Sequence, residues 1–112
     1  MNAPVPTRLL LHKASRLLEV GYADGSCYQL PCEYLRVYSP SAEVRGHGAG
    51  PKTIVKGKQG VKIAALEPVG NYAVRIAFDD GHDSGLYSWA YLHRLGAEKE
   101  KIWADYLKAS GR

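Results

Sequence analysis

The residues best suited to chemistry cluster where a histidine stands among carboxylates. His82 is flanked by Asp79, Asp80 and Asp83. Neighbouring carboxylates raise the proton affinity of a histidine and supply the oxygen ligands that hard cations prefer. His82 is therefore a candidate metal ligand, and His47 is a candidate second ligand if its glycine-rich segment folds back. The alternative is that the carboxylates cap a tight turn while His82 hydrogen-bonds the backbone.

Sequence patterns that indicate catalysis are absent. A nonhaem iron oxygenase needs two histidines and a carboxylate, usually beginning as His-x-Asp/Glu, and none of the four histidines begins that pattern. There is also no Gly-x-x-x-x-Gly-Lys-Ser/Thr phosphate loop and no Gly-x-Ser-x-Gly nucleophile turn. We therefore predict that the chain is not an enzyme.

The two cysteines argue against a thiol-based site. Cys27 and Cys32 do not form a Cys-x-x-Cys pair, so neither a disulfide framework nor a cysteine zinc site is indicated. Free cysteine packs as a small apolar residue, and both are expected to be buried.

Positive charge is concentrated in one stretch of the chain. The net charge is +4, yet residues 44–66 contain five basic residues and no acidic one. This basic loop, residues 45–62, could bind phosphate or nucleic acid. It contains no aromatic residue that could stack on a base, so nucleic acid is not the expected partner.

The length of 112 residues and the 46% of hydrophobic residues predict a single domain over 1–112. No apolar run approaches the roughly 18 residues that a membrane span requires, and the start lacks the apolar region of a signal peptide. We expect a cytoplasmic protein without a membrane partner.

Two segments, 18–36 and 74–94, have similar patterns. Each predicts a strand, an Asp-Gly turn at Asp24-Gly25 or Asp80-Gly81, a return strand and a short helix. Ser88 is a suitable N-cap for the second of these helices.

Weaker signals fill the rest of the chain. Residues 39–46 fit one helical turn that starts at Ser39, and a glycine-rich loop follows to residue 60. Strand patterns resume at Val61, which gives five or six antiparallel strands. A helix over 97–109 has an apolar face that could pack on the domain or on a partner. The fold class is therefore α+β: a twisted, mainly antiparallel sheet built from two hairpin-helix units plus a C-terminal helix.

The motifs LPCEYLRVYSPSAEVRGHG and GNYAVRIAFDDGHDSGLYSWAYLHRLG resemble those of a small bacterial domain family. This family, formerly of unknown function, is similar to the N-terminal domain of γ-butyrobetaine hydroxylase, and the resemblance covers residues 9–96. In the hydroxylases the domain precedes a catalytic iron and 2-oxoglutarate domain, and similar domains are attached to plastid P-loop iron–sulfur carriers. The resemblance implies a noncatalytic binding or adaptor domain that acts with iron–sulfur or oxygenase proteins.

The resemblance also implies a metal. The hydroxylase domain holds zinc with three cysteines after Trp-Leu-Arg and with a histidine in an Asp-Gly-His motif. Here Leu35-Arg36 and Gly81-His82 match, but residues 37–44 contain Ser39 and Ser41 and no cysteine. Zinc prefers thiolate and imidazole ligands, so we expect no cofactor. A metal-binding protein that holds zinc or iron with His82 remains the alternative function.

The partner is expected to be another protein. Charged, hydroxyl and aromatic residues of the two motifs form the predicted interaction surface: Arg36, Ser39, Ser41, Glu43, Arg45, Asp80, Asp83 and Trp89.

Overall fold

The computed structural model describes residues 4–40, 57–83 and 85–111. The helical turn predicted over 39–46 and most of the glycine-rich loop lie outside these ranges. Within them the chain forms six strands and three helices in the order β1-β2-β3-α1-β4-β5-β6-α2-α3.

The first sheet has the antiparallel order β1-β2-β3, with β1 at Arg8–His12, β2 at Leu17–Gly21 and β3 at Cys27–Pro31. Alternate residues of β2 face inward, which buries Leu18 and Val20. The β2-β3 turn contains Gly25 with φ of +92°, and the Asp24 carboxylate accepts hydrogen bonds from Ser26. This confirms the first predicted hairpin.

The second sheet repeats the arrangement in the order β4-β5-β6, with β4 at Ile63–Val69, β5 at Ala73–Phe78 and β6 at Gly85–Ser88. The alternation of β5 places Val74, Ile76 and Phe78 in the core. Gly81 has φ of +92°, the same value as Gly25, so the two Asp-Gly turns are conformationally alike.

Three helices cover the sheets: α1 at Cys32–Val37, α2 at Trp89–Ala97 and α3 at Lys99–Ser110. The Ser88 hydroxyl accepts a hydrogen bond from the backbone N–H of Tyr91, as predicted for an N-cap. The C-terminal helix packs on its own domain, because the Tyr38 hydroxyl donates to the carbonyl of Ile102 at 3.1 Å and Trp103 contacts Tyr34 edge-on.

One hydrophobic cluster joins both sheets and the helices. Its most deeply buried large side chains are Tyr34, Tyr87, Leu18, Leu30, Leu35, Ile76, Leu92 and Leu95. The α+β class and the two hairpin-helix units are confirmed, although the strands divide between two three-stranded sheets instead of forming one.

Two details differ from the sequence analysis. β1 was not predicted, because Arg8-Leu-Leu-Leu-His12 lacks the alternation that marks a strand with one buried face. Cys32 is buried but Cys27 is exposed, since it occupies an outward position on an outer strand. No helix among the described residues is long and apolar enough to cross a membrane.

Candidate functional site

The two sequence motifs meet where the chain leaves α1 and passes beside the β5-β6 hairpin. The hydroxyl oxygen of Ser39 lies 2.8 Å from Nε2 of His82. Ser39 is fully buried and His82 is 8% exposed. The structure therefore brings together two residues that are 43 positions apart in the sequence.

A buried tyrosine of β6 extends this contact. The Tyr87 hydroxyl donates a hydrogen bond to the backbone carbonyl of Leu35. Burial raises the pKa of Tyr87 well above its usual value, and a hydrogen bond from Ser39 opposes that rise. Tyr87 therefore ties β6 to α1.

Gly85 lets the two motifs approach each other. A Cβ at this position would lie 2.4 Å from the Ser39 hydroxyl oxygen and 3.1 Å from the Tyr87 ring. Only a residue without a side chain fits here, so β6 can pass directly beside Ser39.

Asp80 forms an ion cluster beside the buried pair. Its Oδ2 lies 2.9 Å from Nε of Arg36 and 2.7 Å from Nζ of Lys58, and its Oδ1 accepts from the backbone N–H of His82 at 3.1 Å. Burial raises the pKa of Asp80, but the hydrogen bonds from Lys58, the His82 backbone and Arg36 outweigh it and hold the pKa well below its usual value. Asp80 is thus a charged link between α1, the basic loop and the second hairpin.

The other carboxylates near His82 point elsewhere. Asp79 accepts from the backbone N–H of Lys62 at 3.0 Å, while Asp83 pairs with Arg75 at 3.5 Å. No group of three histidine, cysteine, aspartate or glutamate residues is arranged to hold a metal within the described part of the chain. The second proposed ligand, His47, lies outside that part.

The zinc ion implied by the resemblance does not fit Ser39 and His82. Two tetrahedral ligands at about 2.0 Å from zinc lie about 3.3 Å apart, whereas these two atoms are in direct hydrogen-bond contact at 2.8 Å. A neutral serine hydroxyl is also outside the usual thiolate, imidazole and carboxylate set. Ser39 and His82 therefore do not form the ligand pair that the resemblance implies.

A serine within hydrogen-bond distance of a histidine is also the geometry of an activated nucleophile. Here the serine is fully buried, and Asp80 accepts from the backbone N–H of His82 instead of orienting its ring. The serine is therefore closed off from a substrate, and Asp80 does not act as the third member of a triad. The arrangement of the pair is that of an internal contact.

The structure does not place the residues of the predicted interaction surface in one position. Arg36 and Asp80 are brought together, and Ser39 supports them from inside the domain. Trp89 is partly buried and donates its indole N–H to the carbonyl of Asn71 at 2.8 Å. Asp83 is exposed beside Arg75. Ser41, Glu43 and Arg45 lie outside the described residues.

Several residues that contribute to the site were not predicted from the sequence. Gly85 and Tyr87 lie within the second motif and Lys58 lies within the basic loop, but none was singled out as a site residue, since only the folded chain places them beside Ser39 and Asp80. The exposed apolar residues Tyr72 and Leu86 at the second sheet, which are 57% and 45% exposed, were not predicted either.

The comparisons with known proteins identify the relationship. The family model described as "Gamma-butyrobetaine hydroxylase-like, N-terminal" matches residues 9–93. No curated protein matches the chain in sequence.

Solved structures are similar over nearly the whole chain. Two solution NMR structures of proteins are 46% and 48% identical to this chain. Each match covers 99% of this chain and, respectively, 90% and 85% of the other protein's chain, and both have a TM-score of 0.82. A crystal structure from Acidithiobacillus ferrooxidans ATCC 23270, of a protein with unknown function that belongs to the DUF971 family, is 41% identical. It covers 83% of this chain and 93% of its own, with a TM-score of 0.70.

Proposed function

The chain belongs to the gamma-butyrobetaine hydroxylase-like N-terminal domain family, and we propose that it is a noncatalytic adaptor domain that binds another protein. The observation that carries this proposal is the burial of the Ser39–His82 contact. Among the described residues of the two motifs, Ser39, His82 and Asp80 make contacts that hold the domain together. What the domain offers to other molecules is its surface.

The surface that we assign to binding lies at the second sheet. Leu86 projects outward from β6, while Tyr72 precedes β5 and accepts a backbone hydrogen bond from Trp89. β6 pairs only with β5 among the described strands, so its other edge is unpaired within the described chain. Exposed aromatic and aliphatic side chains beside a strand edge suit recognition of a protein partner.

The charges around this surface define its rim. Arg75 lies opposite Leu86 in the sheet and is held by Glu67 at 3.3 Å and by the backbone carbonyl of Asp83 at 2.8 Å. Exposed apolar side chains near fixed, paired charges favour a defined orientation of the partner. The partner class that we infer from the family is an iron–sulfur or oxygenase protein.

The basic loop is a weaker basis for function. Lys58 is engaged by Asp80 at 2.7 Å, so its charge is partly neutralised within the domain. Phosphate or nucleic-acid binding would need free cationic groups, and this contact reduces their number.

The proposal is tested by partner capture with matched variants. Tagged wild-type protein and the double variant Tyr72→Ser/Leu86→Ser are purified from the native host, and the copurifying proteins are identified. The control is Val5→Ser/Leu10→Ser, because Val5 and Leu10 have the same exposures of 57% and 45% and belong to the first sheet or the residues before it. We expect an iron–sulfur or oxygenase protein to be captured by the wild type and by the control, and to be lost from the Tyr72/Leu86 variant. Equal capture by both variants, or no stoichiometric partner, would contradict the proposal.

A further inference from the structure

The metal implied by the family and the side chains of this chain disagree at Ser39. We propose that Ser39, His82 and Tyr87 form a metal-independent clasp, in which a chain of hydrogen bonds fastens the end of α1 to β6 where a metal would otherwise join them. This Ser39 clasp is a property of the fold and does not depend on the identity of any partner.

The first support is distance and burial. Ser39 and His82 touch at 2.8 Å, one of them fully buried and the other nearly so. A buried hydrogen bond between segments distant in sequence opposes separation of those segments, because breaking it leaves polar atoms without partners. The contact can therefore hold the two segments together without a metal.

The second support is the direction of the hydrogen bonds. The carbonyl of Leu35 can only accept, so the Tyr87 hydroxyl donates its proton there. The Ser39 hydroxyl and the Tyr87 ring both flank Gly85, and in the proposed clasp the Tyr87 oxygen accepts from the Ser39 hydroxyl, which directs the serine proton away from His82. Ser39 can accept from the imidazole, and this order places the proton of His82 on Nε2.

That proton matters because a metal bound at Nε2 requires the lone pair of the same nitrogen. A base that activates Ser39 would require it too. The hydrogen-bond order thus opposes both metal ligation and catalysis at Nε2, and it makes His82 a donor.

The third support is the packing around the clasp. A Cβ on Gly85 would come within 2.4 Å of the Ser39 hydroxyl oxygen. Asp80, which could have supplied an oxygen ligand, is already held by Arg36, by Lys58 and by the backbone of His82. Gly85 is thus packed tightly against Ser39, and the carboxylate of Asp80 is already engaged.

The experiment measures the metal content of the wild-type protein and the position of the proton on each histidine ring. Untagged protein is purified from cells grown with added zinc and analysed for metal content, and nitrogen-15 NMR then shows which ring nitrogen of each histidine carries the proton. His12 is an internal reference, because its Nε2 faces the Glu19 carboxylate at 3.0 Å and must donate to it.

We expect no stoichiometric metal. We also expect the NMR signal of His82 to show the proton on Nε2, as for His12. The melting temperature should be unchanged by a chelator. One equivalent of zinc or iron that is lost in His82→Gln overturns the proposal. A proton on Nδ1 of His82 with a bare Nε2 overturns it equally, even if metal is absent.

Discussion

The smallest feature on which the account depends is the missing side chain of Gly85. We expect Gly85→Ala to lower the free energy of unfolding by about 1–3 kcal/mol, because the added methyl group would meet the Ser39 hydroxyl at 2.4 Å and force the clasp apart. Urea denaturation measures the change.

Gly60→Ala is the matched control for this substitution. A Cβ at Gly60 meets nothing within 4 Å, and its φ is not in the left-handed region. We expect no loss of stability, or a small gain from the less flexible unfolded chain. A loss at Gly60 as large as the loss at Gly85 would contradict the packing described around Ser39.

Asp80 makes the stability of the domain depend on pH. Its pKa is lower in the folded protein than its ordinary value of 3.8, so ionisation of Asp80 favours the folded state. This stabilisation is complete above the unfolded-state pKa and is lost as the pH falls from there towards the folded-state pKa. We expect wild type to exceed Asp80→Asn in stability at pH 7 and the difference to shrink below about pH 4.

Asp83→Asn provides the comparison, since it removes an exposed carboxylate from the same turn. Its effect at pH 7 should be smaller than that of Asp80→Asn, because exposed ion pairs contribute little. A wild-type advantage over Asp80→Asn that grows towards low pH would show that the ion cluster is assigned wrongly.

At the scale of the elements, the two hairpins depend on glycines in matching conformations. Gly25 and Gly81 both have φ of +92°, and a Cβ on either would meet nothing within 4 Å. The cost of a substitution is therefore backbone strain without a steric clash. We expect Gly25→Val and Gly81→Val each to lower the free energy of unfolding by roughly 1–3 kcal/mol.

The substitution Gly81→Asn distinguishes backbone strain at positive φ from other effects of replacing the glycine. Asparagine tolerates positive φ better than a β-branched residue does, so it should cost less than Gly81→Val in thermal melting. Equal losses for both substitutions would mean that the turn conformation is not the cause.

The elements with periodic sequence were predictable, and those without it were not. The hairpins around Asp24-Gly25 and Asp80-Gly81 were recognised because turn residues stand between alternating apolar positions. β1 was missed because its three consecutive leucines do not alternate. The division into two sheets depends on strand pairing across the molecule, for which the local sequence contains no signal.

The candidate site was only partly predictable for the same reason. His82 and Ser39 were identified by motif and by residue type, but their mutual contact is set by chain topology. Gly85 and Tyr87 are ordinary strand residues in the sequence, and their importance arises only because β6 passes beside the end of α1. Residue type predicted which groups are present, and packing decided what they do.

At the scale of the whole molecule, the central claim is that the Ser39 clasp joins the first hairpin-helix unit to the second without metal. α1 follows the first sheet directly, and His82 lies between two strands of the second sheet. The clasp residues are buried, so they are distinct from the exposed residues of the second sheet that we propose for binding.

A double-mutant cycle in the presence of a chelator tests this claim most directly. The free energies of unfolding of wild type, Ser39→Ala, His82→Ala and the double variant are measured by urea denaturation. We predict that each single substitution destabilises the domain and that the double variant loses less than the sum of the two, by about 0.5–3 kcal/mol, because the residues share one contact. Additive losses, or a wild-type domain that unfolds when the chelator is added, would contradict the account.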